Sequence, residues 1–157
     1  MSIFDLITLA YNKTLVFDWD GTMTEFKYTE DKLLPCKDED LDEYAKEHHT
    51  IYKNMRALKT MQYIVDELNI RDIYIVTVTV PYLIDGKNEA IKSHFPDLLD
   101  KNIYHVSKSS DKIKALEQIY KESGKHIIFV DDTAKTLLDA EETLDFVTGV
   151  HISSLIA

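Results

Sequence analysis

Basic residues are in short supply: 18 Lys and Arg stand against 28 Asp and Glu. The formal net charge of −10 excludes a nonspecific nucleic-acid coat, which needs a surplus of cations to displace condensed counterions. Cysteine is nearly missing as well. The single Cys36 cannot close an internal disulfide and has no Cys or His at ligand spacing, so it reads as a half-buried thiol with no assigned role. Only four Gly and three Pro occur in 157 residues, with no linker, repeat or low-complexity tract, and the chain therefore reads as a single domain over 1–157. No apolar run reaches bilayer-spanning length, which leaves no membrane partner to expect. The opening Met1-Ser2-Ile3-Phe4-Asp5-Leu6-Ile7 lacks the basic stretch and small-residue cleavage site of a secretory leader, so the expected address is the cytosol.

What is present is a soluble, core-forming composition, 45% hydrophobic and 29% charged. Short runs rich in β-branched and aromatic residues predict strands at Thr14–Phe17, Asp72–Val76, Ile103–Val106, His126–Val130 and Phe146–Val150. Amphipathic stretches lie between them. Ile113, Leu116, Ile119 and Tyr120 follow helical spacing in Lys112–Glu122, with Ser110 or Asp111 placed to cap it. Met55, Leu58, Met61, Val65 and Leu68 do the same, and Gly86–Phe95 and Ala134–Leu144 complete the set. This alternation predicts an α/β fold: a doubly wound, Rossmann-like parallel sheet of about five strands with helices on both faces. In such sheets ligands bind at the carboxyl ends of the strands, so polar residues at those ends are the candidate site.

The strand ends are chemically coherent. Phe17-Asp18-Trp19-Asp20-Gly21-Thr22 places two carboxylates one residue apart after the first strand, and continued alternation would send both to one side. Two like charges sharing one volume predict either separated pKa values or a divalent cation. The second strand ends in Thr77, the fourth in Asp131-Asp132, and Lys112 opens the helix before the fourth strand. Carboxylates holding Mg²⁺, with a hydroxyl and an ammonium over the remaining oxygens, are what a phosphate monoester needs before a nucleophile can approach it. One carboxylate of the first motif can then attack phosphorus while the other protonates the leaving alcohol and later activates water.

In order and combination, Asp18-Trp19-Asp20-Gly21-Thr22, Thr77, Lys112 and Asp131-Asp132 resemble the four motifs of the haloacid dehalogenase-like superfamily, over about residues 14–141. The resemblance implies Asp18 as nucleophile and metal ligand. It implies Asp20 as general acid/base that also offers its backbone carbonyl to Mg²⁺, and Thr77 and Lys112 as phosphate binders. Asp132 would be the direct metal ligand, supported by Asp131. Thr79 is the alternative to Thr77, and Lys108 to Lys112. The fourth motif of the family often carries a further acidic residue, where this chain offers Lys135 and Thr136, with Asp139 further on. An acid at Asp20 favours a phosphatase over a dehalogenase, because halide leaves without a proton and an alkoxide does not.

The implied partner is a phosphorylated substrate, a small metabolite or nucleotide in the first instance, with a phosphorylated protein or nucleic-acid terminus as the alternative. A non-catalytic phosphate-binding protein on the same fold is the second alternative. Residues 23–50 have room for at most a small flap or helical lid. His48-His49 are read as solvated, since neighbours on a helix diverge too far to share one ion. Phe26, Tyr28 and Tyr82 are candidates for stacking on a base or sugar. Lys101, His105, Lys108, Lys112 and Lys114 form an expected local positive patch.

Overall fold

The computed structural model describes residues 1–25, 43, 46, 47 and 51–156. Five parallel strands form one sheet: β1 (Thr14–Phe17), β2 (Ile73–Val78), β3 (Ile103–Val106), β4 (Ile127–Asp131) and β5 (Val147–His151), in the spatial order β3-β2-β1-β4-β5. The helices are α1 (Ile3–Ala10), α2 (Lys59–Glu67), α3 (Ile84–His94), α4 (Lys112–Ser123) and α5 (Ala134–Thr143). The doubly wound parallel architecture expected from the strand-helix alternation is the one observed. No helix among the described residues is long and apolar enough to cross a membrane.

Burial explains the layering. β1 is buried at all four positions, and its alternate residues feed two separate cores. Leu15 and Phe17 join Ile73, Ile75, Ile128 and Val130 under Leu6, Met61, Ile64 and Ile91 of α1, α2 and α3. Val16 joins Tyr74, Val76, Ile127 and Phe129 under Leu116, Ile119, Leu137 and Ala140 of α4 and α5. A central strand covered on both faces has no solvated side, which is why it reads as a continuous apolar run rather than an alternating one.

Several element boundaries differ from the sequence expectation. The second strand starts at Ile73, with Asp72 closing a short 3-10 turn, and it runs past Thr77 to Val78. The fourth and fifth strands sit one residue later than expected, and the fourth takes in Asp131. The helix expected from Met55 begins only at Lys59. The reason is tertiary: the amide of Leu58 donates to the carbonyl of Met23 (2.8 Å), that of Glu25 to the carbonyl of Arg56 (2.9 Å), and Thr24 bridges antiparallel to Ala57. This pairing joins residues 23–25 to residues 56–58; most of the segment 23–50 in which a lid was expected, with Phe26, Tyr28, Cys36, His48 and His49, lies outside the described residues. Helix α1 was not anticipated. Its signature is the Ser2/Asp5 capping box, in which the amide of Asp5 donates to Ser2 Oγ (3.2 Å) and the amide of Ser2 to Asp5 Oδ2 (2.7 Å).

Candidate active site

The chain runs outward from β1 to β2 and β3, then crosses back to β4 and β5 on the other side of β1. The carboxyl ends of β1 and β4 therefore flank the point where the winding reverses, and a crevice forms there because the flanking loops depart in opposite directions. Phe17 lies opposite Val130, and the amide of Asp18 donates to the Val130 carbonyl (2.9 Å), which sets Asp18 beside Asp131. Beyond Asp18 the strand stops. The carbonyl of Trp19 accepts from the amides of Thr22 (3.3 Å), Met23 (3.1 Å) and Thr24 (3.3 Å), a tight turn completed by Gly21 at φ +77°. Trp19 is fully buried beneath this turn, edge-on to Phe95 at 6.0 Å.

Three carboxylates converge at this point: ligand oxygens of Asp18, Asp131 and Asp132 lie within 4.8 Å of one another. Lys112 Nζ donates to Asp18 Oδ1 and Asp131 Oδ2, both at 2.8 Å. The other Asp131 oxygen accepts from the amide of Thr133 (2.8 Å), Thr133 Oγ1 donates to Asp132 Oδ1 (3.2 Å), and Thr22 Oγ1 reaches Asp18 Oδ2 at 3.3 Å. His151, at the end of β5, holds the Asp132 carbonyl through Nε2 (2.8 Å). Asp18 and Asp131 are buried, and Asp132 is partly exposed.

The electrostatics favour an added cation. Burial pushes the Asp18 carboxyl up to about 7; the adjacent Lys112 charge opposes this, and the charges of Asp131 and Asp20 add to it. Burial, with Asp131 next to it, also raises Asp132. Burial alone would lower Lys112, but Asp18 and Asp131 outweigh it and hold the ammonium above its ordinary value. When all three carboxylates are ionised, Lys112 balances one of them and two negative charges remain in one small volume. The cluster could hold a metal ion, and a divalent one would balance it; an all-oxygen donor set matches hard cations rather than soft ones.

Asp20 lies in the turn beyond β1, near enough for its charge to act on Asp18, and its carboxylate pairs with a lysine of its own. Lys87 Nζ donates to Asp20 Oδ2 (2.6 Å), to Thr77 Oγ1 (2.8 Å) and to the Val78 carbonyl (2.9 Å). Lys87 and Thr77 are fully buried. Tyr52 closes over this group, with its ring centroid 5.0 Å from Lys87 Nζ, and its phenol is raised first by burial and then by the charge of Asp20.

Sequence reasoning missed Lys87, Tyr52, Thr133 and His151. For Lys87 a signal existed: positions 87, 90, 91 and 94 share one face of α3, and Ala90 and Ile91 make that face apolar, so a lysine there must enter the core.

The alternative residues separate spatially. Thr79, one position past β2, is buried with its hydroxyl bonded to His105 Nδ1 (2.9 Å), whereas Lys108 is exposed. His105 also bonds Asn88 Oδ1 through Nε2 (2.7 Å); burial first, and then the Lys87 charge, depress it to about 4. His105 is therefore neutral near pH 7 and Lys112 is sunk in the acidic cluster, so the expected positive patch reduces to the exposed Lys101, Lys108 and Lys114. Asp139 pairs with Lys135 on the surface (2.6 Å) rather than joining the cluster, while Thr136 is buried. Tyr82 is 42% exposed in the turn leading into α3. A cavity of about 300 Å³ lined by Ser109, Ser110, Ile113, Thr133, Thr136 and Asp139, among others, shares Thr133 with the acidic cluster.

No protein-family model and no curated protein matches this chain. The site must be argued from its own geometry.

Proposed function

We propose that this chain is a Mg²⁺-dependent phosphomonoester hydrolase of the haloacid dehalogenase-like type, acting through an aspartyl-phosphate on Asp18. The observation that carries the reading is the placement of Lys112 between Asp18 and Asp131, beside Asp132, at the reversal point of the sheet. An ammonium has three hydrogens, and two are used here. The third is available to a phosphoryl oxygen next to the Asp18 carboxylate.

Asp18, Asp131 and Asp132 would hold the metal, with the backbone carbonyl of Asp20 as a further oxygen donor. Bound Mg²⁺ would supply positive charge that keeps Asp18 ionised and neutralises phosphoryl oxygens. The chain's own residues do the rest. A carboxylate oxygen of Asp18 attacks phosphorus, the bond from phosphorus to the ester oxygen breaks, and Asp20, having taken a proton from solvent on the oxygen that Lys87 does not hold, gives it to the departing alkoxide. Asp20, now a carboxylate, takes a proton from water, whose oxygen attacks phosphorus; the bond to Asp18 breaks and inorganic phosphate leaves.

The test is turnover of p-nitrophenyl phosphate and a panel of phosphorylated metabolites and nucleotides with Mg²⁺, alongside 5′- and 3′-phosphorylated oligonucleotides. Phosphate binding with no turnover on any of them would leave the non-catalytic alternative standing.

The two phosphate contacts are tested against their neighbours. Thr77→Val and Lys112→Ala should lower kcat/KM by about 10- to 1000-fold and weaken inhibition by inorganic phosphate. Thr79→Val and Lys108→Ala should remain within about threefold of wild type, and melting temperatures should be checked for all four. If Thr79→Val is the impaired threonine variant, the phosphate sits one turn of chain beyond Thr77.

A further inference from the structure

We propose that Lys87 is a positioning residue: it fixes the Asp20 carboxylate and the Thr77 hydroxyl as one unit and does not itself touch substrate. The roles of Asp20 and Thr77 in this inference rest on the hydrolase reading above. All three ammonium hydrogens of Lys87 are committed, to Asp20 Oδ2, Thr77 Oγ1 and the Val78 carbonyl, which leaves none for a ligand. The residue is fully buried, and Tyr52 covers it. Lys112 offers the contrast, with one hydrogen uncommitted among the described residues.

Burying an ammonium is costly unless the charge is fully paired, so a lysine on the apolar face of α3 calls for a reason beyond packing. Its partners supply one. Asp20 keeps 20% of its side chain exposed while one oxygen is anchored from behind at 2.6 Å. A lysine can only donate, so the hydrogen of the Thr77 hydroxyl must point away from it, as a phosphoryl oxygen requires. The anchor also ties two loops together, the turn after β1 and the end of β2, so that the proton donor and the hydroxyl hold one separation. A misplacement of about 1 Å in such a pair can cost about 100-fold in rate.

The experiment separates positioning from packing by leaving group. kcat/KM reports only the steps through departure of the alcohol, where an alkyl phosphate needs the Asp20 proton and p-nitrophenyl phosphate scarcely does. Lys87→Met should lower kcat/KM about 100-fold for the alkyl ester and about tenfold or less for the aryl ester. In an Asp20→Asn background it should add no more than about the tenfold that the loosened Thr77 hydroxyl accounts for, because its effect through Asp20 is already gone. Lys87→Gln, which keeps a donor but no charge, should show the same selectivity at smaller amplitude and guards against a folding failure of the Met variant.

Equal losses on both esters, or full additivity with Asp20→Asn, would overturn the assignment. On the unmodified site, the Lys87 ¹⁵Nζ resonance should shift in Asp20→Asn and Thr77→Val but scarcely on adding inorganic phosphate. A phosphate-induced shift as large as either would make Lys87 a direct ligand and equally overturn it. If the wild-type chain turned over no phosphomonoester, the hydrolase reading would fall, while the resonance would still decide what Lys87 holds.

Discussion

Asp18→Asn should leave no measurable phosphomonoester turnover, a loss of about 10⁴-fold or more, because an amide cannot take the phosphoryl group. The fold should survive the change. Burial raises the Asp18 carboxyl to about 7, so the native state prefers its neutral form. The sign follows: above the unfolded value of 3.8 the unfolded chain sheds this proton first, and the contribution of Asp18 to stability falls as pH rises toward 7. Asparagine carries no such proton, and Lys112 retains Asp131. In chelator near neutral pH, Asp18→Asn should therefore melt at or above the wild-type temperature. Inactivity accompanied by a markedly lower melting temperature would point to a broken fold instead of a lost nucleophile.

Removing the divalent cation should have an effect of similar size on rate. Without the cation, burial holds the Asp18 carboxyl near 7 and no added positive charge keeps it ionised or neutralises phosphoryl oxygens, so excess chelator should abolish turnover and Mg²⁺ should restore it. A cation that binds the native state alone and is present at about 100 times its dissociation constant should stabilise the protein by about 3 kcal/mol, a rise of several degrees in melting temperature. Asp132→Asn removes one of the three converging carboxylates and should erase most of that rise. Full activity in chelator, or an equal Mg²⁺-induced rise in Asp132→Asn, would remove the metal from the account.

Much of this was legible in the chain because the decisive signals are local. Leu15-Val16-Phe17 had to be a buried strand, Asp18 had to follow its end, and Ile127-Ile128-Phe129-Val130 had to deliver Asp131 to a parallel neighbour. The positions of Thr77 and Lys112 followed from the same logic of strand and helix ends. What could not be read depends on tertiary contacts. The pairing of Met23 with Leu58 delays helix α2, although Met55 and Leu58 fit its periodicity. Beyond β1 the chain turns around the Trp19 carbonyl, and Asp18 and Asp20 pair with different lysines, which their spacing alone did not indicate. Lys87 carries a visible anomaly, a charge on an apolar helix face, but its partners lie 67 and 10 residues away in sequence, and only the folded sheet brings them together.

The most direct test of the central claim is to look for a phosphoryl group on the protein. If Asp20 activates water, the phosphorylated intermediate should accumulate when Asp20→Asn is mixed with Mg²⁺ and p-nitrophenyl phosphate, whose leaving group needs little help. Acid quenching followed by peptide mass spectrometry should find the added phosphoryl mass on the peptide containing Asp18, labile to hydroxylamine and lost in the Asp18→Asn/Asp20→Asn double variant. Turnover by the wild-type chain with no phosphorylated peptide in the variant, or with the phosphoryl group on another residue, would contradict the assignment of Asp18 as nucleophile.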